Sequence, residues 1–227
     1  MKVVTVACDK GGTGKTTSAM CLAISLSKLG KSVVVYDADN TGGATTWEAC
    51  AKDDGKPLPF QVVPVNRPKL DRLAKRKGEE EDFVIIDTPP SDTAIINSAI
   101  GAADLVIIPT QPSRADTFLA GDTYRSSDKP SYILLTRVKA RTKLLKETLK
   151  ELQDAEFMYF PTYISESESV KRLYGGNETS PQYDKVCQEM LKLLDEGGGT
   201  GYKKCIYQPA RGLASKKRKR RGEERKT

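Results

Sequence analysis

Ten residues near the amino terminus, Cys8-Asp9-Lys10-Gly11-Gly12-Thr13-Gly14-Lys15-Thr16-Thr17, bring three glycines, two lysines and three hydroxyls together. Glycines let a backbone curl until successive N–H groups face one anion, and a helix starting at the end of the loop adds its positive dipole end. Lys15 is placed to reach the β and γ phosphates of a bound nucleotide, and the Thr16 hydroxyl next to it suits a Mg²⁺ ligand. The chemistry that fits is nucleoside triphosphate binding, with Gly11, Gly12, Thr13, Gly14, Lys15, Thr16 and Thr17 around the phosphates. A plain glycine turn would not need Gly-Lys-Thr-Thr to open a helix directly after an apolar strand.

Two further segments end in acids. Val33-Val34-Val35-Tyr36-Asp37-Ala38-Asp39 is an apolar run closing on carboxylates at i and i+2, which point the same way at the end of a strand. Phe83-Val84-Ile85-Ile86-Asp87-Thr88-Pro89-Pro90 is the second. Its Asp87 reads as a Walker B acid, holding a water of Mg²⁺ rather than the ion itself, because Mg²⁺ gives up its hydration shell reluctantly.

These groups need a scaffold that brings three strand ends to one edge. Short β-branched runs at 2–7, 32–37, 60–64, 82–87, 104–109, 131–136 and 157–160 alternate with helical patterns at 16–29, 44–51, 68–77, 92–102, 117–125, 141–154, 169–174 and 182–195. That rhythm predicts an α/β fold with a doubly wound, mostly parallel sheet, in which ligands bind beyond the carboxyl ends of the strands. Residues 1–196 form the expected P-loop domain. Gly197-Gly198-Gly199 then opens a linker and basic tail over 197–227, expected to be disordered.

Composition narrows the chemistry further. The 227 residues include no histidine, which excludes imidazole acid–base catalysis and His-containing metal sites. Five scattered cysteines without C-x-x-C spacing read as reduced thiols of a cytoplasmic protein. No apolar run reaches bilayer length, so no membrane span is expected. The net charge of +7 is concentrated at the carboxyl end, where residues 202–227 hold eleven basic residues against two acids. The cluster Lys216-Lys217-Arg218-Lys219-Arg220-Arg221 is an electrostatic footprint for duplex phosphates, a nuclear-localisation-like run or a solubilising tail. Lys139, Lys143, Lys146 and Lys150 form a stripe opposite Leu144, Leu145, Leu149 and Leu152, read first as a solvated helix face and second as a DNA contact.

The loop Lys10-Gly11-Gly12-Thr13-Gly14-Lys15-Thr16-Thr17 resembles the deviant Walker A motif of the ParA/MinD superfamily of ATPases. Asp37-Ala38-Asp39 and Asp87-Thr88-Pro89-Pro90 resemble that family's other motifs, and the likeness runs over about residues 1–195. It implies ATP and Mg²⁺ as cofactors and a homodimer formed on ATP binding. Lys10 matches the signature lysine that crosses to the partner's phosphates, and Asp39 matches the acid that positions attacking water. Asp37 would stand in the outer shell of Mg²⁺, while Thr136 and Arg137 occupy the strand end where relatives contact adenine. The family's Pro-Gln after the acids is replaced here by Asn40-Thr41. The closest likeness, to small ParA- or ParF-type partition ATPases, implies a nucleoid-associated DNA-segregation ATPase of weak intrinsic activity. Its expected partners are non-specific DNA and a centromere-binding ParB- or ParG-like adaptor, with no membrane. A MinD-like ATPase at a membrane surface and a biosynthetic enzyme of the same fold are the alternatives.

Overall fold

A computed structural model describes residues 1–75 and 81–196. Six parallel strands form one sheet: β1 (Lys2–Val6), β2 (Val33–Asp37), β3 (Gln61–Pro64), β4 (Phe83–Asp87), β5 (Leu105–Thr110) and β6 (Ser131–Leu135), in the order β3-β2-β4-β1-β5-β6. The order reverses around β1. That strand therefore leads into the crevice where a doubly wound sheet binds ligands.

Strand periodicity divides the core cleanly. Val4, Val6, Val33, Val35, Phe83, Ile85, Leu105, Ile107, Tyr132 and Leu134 pack on one face. Their neighbours Val3, Val34, Tyr36, Val84 and Ile86 pack on the other, joined there by Val106, Ile108, Ile133 and Leu135. Successive side chains of a strand point to opposite faces, so runs apolar at every position are what a sheet covered on both sides requires. Helices α1 (Lys15–Lys28), α2 (Gly43–Asp53) and α8 (Pro181–Asp195) cover the first face. Helices α3 (Arg67–Leu73), α4 (Thr93–Ala102), α5 (Arg114–Ser126) and α6 (Lys143–Asp154) cover the second. The single turn α7 (Glu168–Lys171) lies before α8.

Helix starts follow local chemistry. Asn66, Asp92, Ser113, Thr142, Ser167 and Ser180 each accept a first-turn backbone N–H with the side chain, satisfying donors that have no partner within the helix. α1 and α2 are the exceptions, capped by Gly14 at φ 95° and Gly42 at φ 67° with no side-chain bond, which for α1 leaves the first N–H groups facing the loop.

Three expectations change. The run 157–160 is not a strand: it makes one bridge, Tyr159 to Ile133, with bonds from Ile133 N to Met158 O and from Phe160 N to Ile133 O, both 2.9 Å. The chain leaves the sheet edge at Pro161, which has no N–H to give a ladder, and touches it again at Ile164. The helix expected from residue 141 begins at Lys143, so Lys139 is not on it, and Leu144 is exposed rather than buried with Leu145 and Leu152. The helix expected over 169–174 shrinks to the four residues of α7. The expected tail, 197–227, lies outside the described residues, as does the cluster Lys216–Arg221.

Candidate nucleotide site

The loop between β1 and α1 is held from three neighbouring strand ends. Beyond β4, the Ser91 N–H and hydroxyl both donate to Asp9 O, at 3.1 and 3.3 Å. Beyond β5, Gln111 Nε2 donates to Gly12 O at 3.1 Å. Beyond β6, the buried Thr136 hydroxyl donates to Thr13 O at 2.7 Å. These bonds fix loop carbonyls outward, the arrangement that turns loop N–H groups toward a shared anion.

Both loop lysines are engaged within the chain. Lys15, buried against the sheet, donates to Lys10 O across the loop at 2.9 Å. Its burial lowers the pKa, a shift opposed by Cys8, Asp87, Asp39 and Asp9. Lys10, whose side chain is 40% exposed, forms an ion pair with Asp116, whose side chain is 4% exposed. Asp116 sits in the first turn of α5, where the helix dipole favours an anion.

The acids divide into a satisfied one and an orphan. Asp37 is nearly sealed: Oδ2 accepts the Thr45 N–H at 2.8 Å and the Thr45 hydroxyl at 2.7 Å, while Oδ1 accepts the Asp39 N–H at 3.2 Å. Asp39 Oδ1 accepts the Thr41 N–H at 2.9 Å. Asp87, directly beside Asp37 in the β2–β4 register, is fully buried, and among the described residues neither carboxylate oxygen has a well-formed hydrogen bond, the Thr16 hydroxyl being the polar side chain that acts on it. Burial pushes its pKa up to about 7; Asp37 and Asp39 push the same way, and Thr16 and Lys15 pull against them.

An unpartnered buried carboxylate beside a hydroxyl is chemically suited to a hydrated cation. No three His, Cys, Asp or Glu side chains converge on a metal position among the described residues, so the protein supplies no closed cage. That fits an ion that keeps most of its waters and takes the rest of its ligands from phosphate.

The charge state of Asp87 has a measurable consequence. Its folded pKa lies above the ordinary 3.8, so the ligand-free fold prefers the protonated acid, and stability falls as pH rises from about 4 to about 7. The gap corresponds to about 4 kcal/mol. Asp87→Asn removes the charge but leaves an unsatisfied amide costing about 1–3 kcal/mol. The variant should therefore melt several degrees higher than wild type near about pH 8, with the advantage shrinking toward about pH 5. Thermal denaturation at both values checks it. Cation-dependent nucleotide binding by the wild type should weaken below about pH 7, where a proton competes for the same oxygens.

Among the expected base contacts, Thr136 is buried beneath the loop and supports it, while Arg137 lies exposed at the strand end with φ 49°. Gly11 stacks its open side against Pro90, 3.8 Å from where a Cβ would sit. Asp116, Gln111 and Thr45 were not legible as site residues. Ser113-x-x-Asp116 does carry a helix-start signature, but nothing in it points to Lys10, 106 positions away.

A glycine loop running from a central parallel strand into a helix, with a buried acid at the end of the adjacent strand, defines a P-loop nucleotide-binding domain. Residues 4–180 match the family described as the CobQ/CobB/MinD/ParA nucleotide binding domain, and the chain belongs to that family. It is 34% identical over 146 residues to the maintenance of carboxysome distribution protein A of Gloeobacter kilaueensis, covering 62% of this chain and 65% of that protein. It is 33% identical over 135 residues to the chromosome-partitioning ATPase Soj of Thermus thermophilus, covering 48% of this chain and 54% of that protein. The matches thus span between about half and just under two-thirds of those relatives. In fold it is similar to pNOB8 ParA bound to nonspecific DNA, with TM-score 0.64, 17% identity, and 86% of this chain and 99% of that one covered. No described helix is long and apolar enough to cross a membrane.

Proposed function

We propose that this chain is a Mg²⁺-dependent ATPase acting in DNA segregation, whose ATP form is a homodimer that binds DNA without sequence preference. The observation that carries the reading is the second loop lysine: Lys10 stands at the mouth of the P-loop, on a side chain long enough to serve a phosphate outside its own loop. Similarity to a chromosome-partitioning ATPase supports the biological role.

In this reading Gly11, Gly12, Thr13, Gly14, Lys15, Thr16 and Thr17 bind the phosphates, and Arg137 lies near the base with Thr136 behind the loop. Thr16 and, through water, Asp87 hold Mg²⁺, with Asp37 behind them; the ion neutralises charge on the outer phosphates. Asp39 orients the attacking water, and Lys10 of each copy stabilises charge developing in the other copy's site. No imidazole is available as a base, so intrinsic turnover is slow, and a centromere-binding adaptor accelerates it. Residues 1–196 are the ATPase domain, and 197–227 a basic tail in a cytoplasmic, nucleoid-associated protein. Light scattering of the full chain tests the dimer: the mass should double with ATP and Mg²⁺ and remain monomeric with ADP. A monomer in both states contradicts it.

Deleting residues 202–227 should weaken DNA binding at least about tenfold and flatten its salt dependence, since each neutralised phosphate contributes to the slope. A binding series across salt checks this. Within α6, Lys143 pairs with Glu147, and before it Lys139 pairs with Glu166, so the lysine stripe offers less free charge than its sequence suggests. Service to a cargo other than DNA is the second reading, favoured by the 34% identity with the carboxysome distribution protein.

A further inference from the structure

The segment between the two acids of β2 and the start of α2 is closed on itself. Asp37 Oδ1 receives the peptide N–H that carries Asp39, and Asp37 Oδ2 receives both the backbone and the hydroxyl donors of Thr45. Inside this ring, Asp39 Oδ1 caps the Thr41 N–H, and Gly42 N donates to Asp39 O at 2.8 Å. The far side of α2 is anchored: Trp47 is fully buried, and its indole donates to Gly176 O at 2.7 Å. The near side rests on the phosphate loop, where a Cβ at Gly43 would stand 3.2 Å from the Thr16 hydroxyl. A Cβ at that position would require the Thr16 side chain to give by a few tenths of an ångström, so α2 and Thr16 are in close contact there.

We propose that Thr45 is a positioning residue for hydrolysis, holding Asp37 so that the peptide bearing Asp39 is fixed relative to Thr16. This rests on the ATPase reading above. Asp37, with both oxygens engaged, acts through this ring rather than as a direct partner of the cation shell. Thr45 is well placed to hold the ring closed, because it lies in the first turn of a helix packed on two sides and gives one carboxylate oxygen two donors. Hydrogen bonds to a charged group are the stronger kind. Removing the hydroxyl leaves the backbone bond in place, so the turn loosens without unfolding. A small misplacement of a reacting group is enough to cost one to two orders of magnitude in rate.

The test uses the full chain with ATP and Mg²⁺, comparing Thr45→Val, Thr45→Ser, Asp37→Asn and the double variant Thr45→Val/Asp37→Asn. Thr45→Val should bind a fluorescent ATP analogue within about threefold of wild type, while single-turnover hydrolysis falls at least about tenfold. Thr45→Ser should restore hydrolysis. Amide hydrogen exchange over residues 39–46, measured without nucleotide, should speed up in Thr45→Val and not in Thr45→Ser. The double variant should be no slower than the worse single one, because both changes break one ring. If Thr45→Val does not fold, Asp37→Asn carries the same expectations for turnover and exchange. Wild-type turnover in Thr45→Val, failure of rescue by Ser, or additive losses would overturn the positioning role while leaving the ATPase reading intact. A wild-type chain that binds the analogue but never hydrolyses ATP would remove both.

Discussion

Lys15→Ala should lose ATP binding by at least about a hundredfold while the protein stays folded. Lys15 is the one cation of the phosphate loop that is buried in place, bridging the loop through Lys10 O. A desolvated ammonium beside phosphate is worth several kcal/mol. Its burial is already unfavourable without a ligand, as its lowered pKa indicates. Removing it therefore relieves strain in the empty fold, and the melting temperature should stay within a few degrees of wild type. Titration with a fluorescent ATP analogue alongside thermal denaturation separates the two. Binding within about tenfold of wild type would show that another group carries the phosphates.

Lys10→Ala should behave differently: ATP binding is retained within a few-fold, whereas dimer formation is lost and turnover falls about 10²–10³-fold. In the described chain Lys10 is paired with the buried Asp116 of α5, so it must leave that carboxylate before it can serve a second copy. Asp116→Asn, which keeps the lysine and removes its charged partner in the same chain, should lower the ATP concentration needed for dimerisation. Light scattering and turnover on the two variants give opposite signs. Normal hydrolysis by Lys10→Ala would show that the lysine is structural, tied only to α5. Removing the lysine also leaves the buried Asp116 carboxylate without its charged partner, so Lys10→Ala should melt below wild type.

Much of this site was readable from local pattern because its parts are contiguous. The loop 9–17, the acids ending β2 and β4, and the apolar runs of a sheet covered on both faces each carry their signal within about ten residues. What could not be read depends on which distant segments meet. Asp116 reaches Lys10 only because β5 lies beside β1 and α5 starts at the same edge. The family resemblance puts Thr136 at the base, and nothing in the local pattern shows that its hydroxyl also holds Thr13. Thr45 looks like an ordinary first-turn threonine until the register of β2 and the approach of α2 to Thr16 bring it onto Asp37. The run 157–160 has the composition of a strand, but Pro161 and a single bridge leave it outside the ladder. Leu144 was expected among the buried leucines of α6, and the helix phase set by the Thr142 cap turns it outward.

The most direct test of the proposed function is DNA binding by the full chain with ATP and Mg²⁺, with ADP and with no nucleotide, on two unrelated duplexes across a salt series. Binding that appears only with ATP, is equal on both sequences and weakens steeply with salt is the predicted result. Equal binding in all three nucleotide states, or none in any, would contradict an ATP-gated DNA-segregation ATPase.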